Sequence, residues 1–150
     1  MTASGANVDA EAEVEVVDLC RDLLRIDTSN FGDSSGPGER VAAEHIAEKL
    51  SDVGLETTFL ESEKGRASVI TRIPGQDPSR PALLLHAHTD VVPAEASDWQ
   101  VPPFAGEERD GYLWGRGAVD MKDMVAMTLA NVREIATSGI APPRDLIVAF

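Results

Sequence analysis

Cysteine occurs once, at position 20, so no disulfide can form within the chain and stability must come from packing. Basic residues are also scarce. Thirteen Lys and Arg stand against 26 Asp and Glu, a formal net charge of −13. Nucleic acids and anionic membrane surfaces are gripped by a net basic footprint, so neither is an expected partner. Long apolar runs are missing too, and none approaches the ~20 residues that cross a bilayer. The opening stretch MTASGANVDAEAEVEV has neither the positive start nor the apolar segment of a secretory signal. The expectation is a soluble, cytoplasmic protein. There is no internal repeat and no low-complexity segment.

What is present is an ordinary globular composition, 43% hydrophobic over 150 residues, enough for one domain with its own core. Residues 1–8 are small and polar and are expected to be disordered. Val16, Val17, Cys20, Leu23 and Leu24 recur at helical spacing and predict an amphipathic helix over about 10–26, with an acidic start. Residues 27–38 (DTSNFGDSSGPG) are loop chemistry. A second helix is expected over about 39–53, stopped by Gly54, with His45 on it as a packing residue.

Two strands follow, 55–60 and 68–73, turning at Lys64-Gly65. Residues 82–85 (ALLL) form a continuous apolar run, the pattern of a strand buried on both faces. The stretch from 91 to 111 is too rich in Pro and Gly for regular structure, and Trp99, Pro103 and Phe104 would anchor it locally. Tyr112 to Trp114 reads as a short strand, and a third helix is predicted over about 122–138 with Gly139 as its stop. Residues 145–150 (DLIVAF) close the series as a buried strand. The fold class is α/β: a mixed, mostly parallel sheet flanked by helices.

Polar chemistry begins abruptly where the apolar run of 82–85 ends. In an extended backbone His86, His88 and Asp90 project to one side, at the end of a strand where open α/β sheets place their ligands. Neutral imidazole and carboxylate are donors that zinc accepts readily, which makes His88 and Asp120 the candidate metal ligands. Asp90 is spaced to hold the other ring nitrogen of His88. A dinucleotide-binding reading of Gly115-Arg116-Gly117 is weak, because Asp120 stands where the third glycine belongs and would repel a pyrophosphate.

The motifs HTDVVP (88–93) and GRGAVDMKD (115–123), with W..PPF between them, resemble a family of di-zinc hydrolases. It includes acetylornithine deacetylase, succinyl-diaminopimelate desuccinylase, aminoacylase and glutamate carboxypeptidase. By that resemblance His88 is a zinc ligand, Asp120 bridges two zinc ions, and Asp90 is a catalytic residue behind His88. Cobalt or manganese could replace zinc. The matched positions give His86 no ligand role. Asp123 departs from the pattern, which more often has Gly there; an acidic residue at a helix start suits the helix dipole.

The resemblance implies hydrolysis of an amide bond in a small peptide or N-acyl amino acid, and a cis peptide between Asp120 and Met121. It also implies that the family's general base, the other ligands and a dimerising lid domain lie beyond Phe150. Residues 9–150 are then the N-terminal portion of a catalytic domain, expected to be inactive alone and to self-associate through uncovered edges. The alternative is an inactive fragment or a binding module on the same fold.

Overall fold

The computed structural model describes residues 5–33 and 35–150, with residues 5–14 described as backbone only. The first helix, α1, runs Gly5–Leu24. It therefore starts before residue 10, and residues 5–8, expected to be disordered, are helical; residues 1–4 lie outside those described. Its first turn carries no acidic residue, so the expected acidic start moves into the helix interior. Leu19, Cys20, Leu23 and Leu24 are buried at helical spacing and pack α1 against α3, Lys122–Thr137. Burial pushes the Cys20 thiol up to about 11, as befits a core residue. On α3 the inward face is Val125, Ala126, Leu129, Ala130 and Val132.

Helix α2, Arg40–Ser51, buries Ala42, Ala43, Ile46, Ala47 and Leu50 against the sheet. His45 is half-buried on it, and burial lowers its pKa, in keeping with a packing role. The first backbone N–H groups of a helix lack intrahelical acceptors. Here Glu39 and Arg40 both donate to the Gly65 carbonyl, at 2.8 and 3.0 Å. Gly38, at φ +76°, lets the chain pass that carbonyl. A Cβ there would lie 2.5 Å from the Gly65 oxygen.

The main sheet contains β1 (Thr57–Glu63), β2 (Arg66–Ile73), β3 (Leu83–His86) and β6 (Leu146–Ala149), in the order β1-β2-β6-β3. β1 with β2 and β2 with β6 are antiparallel, and β3 runs parallel to β6. The sheet is mixed as expected, but among the described strands parallel pairing is the minority. Ala67, Val69, Thr71 and Ile73 alternate into the core, joined by Leu146 and Val148 from β6.

Two expectations are corrected. β3 is not buried on both faces: Leu83, Leu84 and Leu85 are 49%, 55% and 38% exposed. The strand lies at the sheet edge, away from β1 and β2, on which α2 packs. The Pro-rich stretch 91–111 is not wholly irregular either. It holds a 3-10 turn at Ala96–Asp98 and β4, Glu107–Arg109, which pairs antiparallel with β5, Tyr112–Trp114. Positive φ at Asp110 and Gly111 makes the tight turn between them, a feature of backbone geometry that the Pro content had masked.

Asp145 ties the start of β6 to the loop after β2. One carboxylate oxygen accepts from the Gly75 N–H at 2.7 Å and the other from the Arg72 guanidinium. The Gly75 bond first, then Arg72, hold its carboxyl below the ordinary 3.8. A depressed folded-state pKa contributes stability above the unfolded value, lost as pH falls through the folded one. Asp145→Asn is therefore expected to lower Tm at about pH 7, with the gap to the parent closing toward about pH 2. Thermal denaturation at both pH values checks this, and a gap that persists in acid would contradict it.

Candidate functional site

The site is built where β3 ends and the chain crosses the loop after α1. Ala87 donates to the Ala149 carbonyl at 3.1 Å, the last bond holding this segment to β6. Beyond it, residues 28–30 supply the support. Val91 donates to the Thr28 carbonyl at 3.1 Å, Asn30 donates to the Val91 carbonyl at 2.8 Å, and Ser29 and Val91 form a parallel bridge. The buried Thr28 hydroxyl donates to the Thr89 carbonyl at 2.6 Å. Thr89 and Val91 thus point inward, and the extended alternation turns His88 and Asp90 toward solvent.

Asp120 arrives from the other side. After β5, Arg116 donates to the Pro103 carbonyl at 2.7 Å, and Lys122 donates its backbone N–H to the Gly117 carbonyl at 2.8 Å. Gly117, at φ +89°, is where this loop crosses Val91: a Cβ there would come within 2.7 Å of the Val91 Cγ1. Only glycine allows that approach without displacing the strand. The peptide bond between Asp120 and Met121 is cis, as the resemblance implied.

The two arms meet. His88 Nε2 lies 3.0 Å from Asp120 Oδ1, while Nδ1 lies 3.0 Å from the Asp90 carbonyl oxygen and 3.1 Å from Asp90 Oδ1. Asp90 is held in turn by Asn30, whose side-chain amide donates to Oδ2 at 2.8 Å. Burial acts to lower the His88 pKa, but the Asp90 carbonyl, the Asp120 carboxylate and the charges of both aspartates outweigh it, and the net shift is upward. His88, Asp90 and Asp120 line a cleft of about 560 Å³ with Asn30, Trp99 and Arg116, the last stacked over the Trp99 ring at 5.2 Å.

His86 does not join them. It lines a second hollow of about 350 Å³ with Glu39 and Arg66, and His88 and Asp90 line both hollows. Glu39 is buried there, its Oε2 3.1 Å from the Arg66 Nε and its Oε1 without a partner. Burial raises its pKa, opposed by Arg66 and aided by the Asp90 charge.

The donor set suits a divalent cation in kind. Two donors bound to one tetrahedral zinc at ~2.0–2.2 Å stand roughly 3.3–3.6 Å apart, a few tenths of an ångström more than the His88–Asp120 separation. The Asp120 side chain is 87% exposed, leaving its second oxygen open to another ion. Among the described residues no group of three or more His, Cys, Asp or Glu forms a complete metal cage. His88 and Asp120 could by themselves supply only part of a metal's coordination shell.

Asn30 and Lys122 are the neighbours that sequence reasoning missed. Asn30 sat unremarked in loop chemistry, and Lys122 sat inside the quoted motif without a role. Lys122 is fully buried, and its Nζ donates to the carbonyls of Leu23 at 2.9 Å and Ile26 at 2.7 Å. Burial pushes its ammonium down to about 8, against the pull of Asp27.

Residues 84–150 match the family described as Peptidase family M20/M25/M40. Mouse aminoacylase-1 is 34% identical over 143 residues, 95% of this chain and 34% of the relative. The Xenopus tropicalis N-fatty-acyl-amino acid synthase/hydrolase PM20D1 is 32% identical over 138 residues, 91% of this chain and 27% of the relative. Human carnosine dipeptidase 1 shares the fold with a TM-score of 0.71 at 23% identity, over 95% of this chain and 32% of that one. The chain thus spans about a quarter to a third of the length of these relatives.

The Thr28 contact yields a test. Thr28→Val removes the donor to the buried Thr89 carbonyl at nearly constant shape, and an unsatisfied buried acceptor costs about 1–3 kcal/mol. Thr28→Ser should keep most of that stability. Urea denaturation of the two variants and the parent checks this, and a Thr28→Val variant as stable as the parent would mean that the hydroxyl contributes nothing.

Proposed function

Since this chain belongs to the peptidase M20/M25/M40 family, we propose that it forms part of a metal-dependent hydrolase cleaving an amide bond of a small peptide or N-acyl amino acid. The observation that carries the proposal is the convergence of His88 Nε2 and Asp120 Oδ1 across the cleft, with the other ring nitrogen of His88 already engaged by Asp90. The metal we assign is zinc, two ions in the complete site, with cobalt or manganese as substitutes. A pair of such ions, when bound, supplies Lewis acidity for a scissile carbonyl and lowers the pKa of water.

The chain's own residues have distinct tasks. His88 presents Nε2 as a donor, with Nδ1 turned to Asp90 so that one ring orientation is kept. Asp120 offers one oxygen on the His88 side and a second toward solvent, the disposition of a bridging carboxylate. Asp90 is the catalytic residue behind His88, and Asn30 fixes its outer oxygen. Arg116 brings positive charge to a cleft that otherwise carries aspartates. The described residues supply two donors where a closed site needs more. We therefore place residues 9–150 as the N-terminal portion of the catalytic domain, with the general base and remaining ligands contributed from outside it.

The partial shell favours one second reading, a metal-binding module without turnover. Zinc binding that a chelator reverses, with no hydrolysis of N-acetyl amino acids or dipeptides even when the rest of the domain is present, would establish it.

Under the enzyme reading, the chain with the rest of its domain hydrolyses such substrates with zinc or cobalt and stops with chelator. His88→Ala should lose metal outright. Asp90→Ala should lower activity by about 10–100-fold while costing less in metal content, because it acts through the ring of His88. Activity and metal content measured side by side decide the matter. An Asp90→Ala enzyme as active as its parent would remove Asp90 from the site.

A further inference from the structure

Asp120 is the most exposed of the three site residues, and among the described residues its side chain has no hydrogen-bonding partner other than His88. Nothing beside it sets its direction, so the direction must be inherited from the backbone on either side. On one side stands Gly117, wedged against Val91. On the other, two residues on, stands Lys122, the largest fully buried side chain among the described residues.

A buried ammonium needs acceptors, and Lys122 finds two at the end of α1, the carbonyl of Leu23 in its last turn and that of Ile26 just beyond it. The Leu23 carbonyl also accepts from the Ile26 N–H at 3.2 Å, and a cation at this helix C-terminus suits the helix dipole. Its stem passes Gly117, where a Cβ would lie 3.2 Å from the Lys122 Cδ, and its backbone N–H closes onto the Gly117 carbonyl. One residue, through its side chain and its backbone N–H, therefore pins the start of α3, the Gly117 turn and the end of α1 together. Residues 118–121 have to span the gap between two fixed points.

We infer that Lys122 is a positioning residue for Asp120: its ammonium, bound to the Leu23 and Ile26 carbonyls, fixes the start of α3 and thereby sets the Asp120 carboxylate against His88. The inference rests on the reading of His88 and Asp120 as metal ligands only for its consequence in metal affinity. The anchoring itself is independent of it. Lys122→Met keeps the stem and removes the three donors, leaving both carbonyls without the ammonium. Ile46→Val, in the core and away from the cleft, serves as a control for general loss of stability.

The experiment uses the 150-residue chain. Cobalt(II) affinity is measured by titration in the parent, His88→Ala, Lys122→Met and Ile46→Val, and thermal stability is recorded for each. In the metal-free protein, the ring nitrogen resonances of His88 report the contact with Asp120. The expected result is a loss of cobalt affinity of about tenfold in Lys122→Met, with an altered His88 Nε2 resonance, while Ile46→Val leaves both unchanged. If Lys122→Met does not fold, Lys122→Gln, whose amide still donates, should fall between it and the parent in both readouts.

Cobalt affinity and a His88 resonance equal to the parent's in a folded Lys122 variant would overturn the inference. So would Ile46→Val losing as much of both as Lys122→Met, since Lys122 would then act on stability alone. Should the parent bind no cobalt, or bind it as well after His88→Ala, the metal reading falls. The His88 resonance in Lys122→Met then upholds the anchoring by changing, or overturns it by matching the parent.

Discussion

The pairing of residues 28–30 with residues 89–91 is the constraint on which the cleft depends. A chain leaving the end of β3 without it would have one bond to β6, through Ala87, and then nothing to keep it extended. The Thr28 hydroxyl, the two backbone bonds at Val91 and the bridge at Ser29 supply that restraint. Because the segment stays extended, side chains alternate, and the alternation puts two buried residues and two solvent-facing ones in a row. The same support carries Asn30 to Asp90, so the loop after α1 both shapes the strand end and satisfies one of its carboxylate oxygens.

Legibility in the sequence followed the range of the interaction. Local rules sufficed for α2 and α3, whose apolar spacing and terminal glycines Gly54 and Gly139, both at positive φ, are features of a few consecutive residues. His88 and Asp120 were legible as a pair because donor chemistry narrows the residue types and the two motifs lie at a characteristic separation. Asn30 was opaque: an asparagine between Ser29 and Phe31 looks like any loop residue until Asp90, sixty positions later, is seen against it. Lys122 was opaque for the opposite reason. Lysine is ordinarily a surface residue, and only the carbonyls of Leu23 and Ile26 explain its burial.

β3 shows how an apolar run can mislead. Leu83, Leu84 and Leu85 carry the composition of a strand covered on both faces, yet composition reports what a strand could bury and not what lies over it. Cover depends on sheet order, and β3 falls at the end of that order. The parallel share of the sheet was misjudged on the same ground, because β1 and β2 join as a hairpin and β2 then pairs antiparallel with β6. Pairing partners among strands are a property of the whole chain.

Among the described strands β3 pairs with β6 alone, and this bears on the order in which the protein assembles. β1 and β2 are joined by a short turn and can zip together quickly, whereas Leu83 must find Leu146, roughly sixty residues along the chain. Closing so long a loop carries an entropic cost before any contact rewards it. The strand that delivers His88 is thus among the last to dock, after the hairpin and the local turns of the helices. A chain arrested early in folding would already hold α2 against the hairpin while its histidine and its aspartates were still strangers.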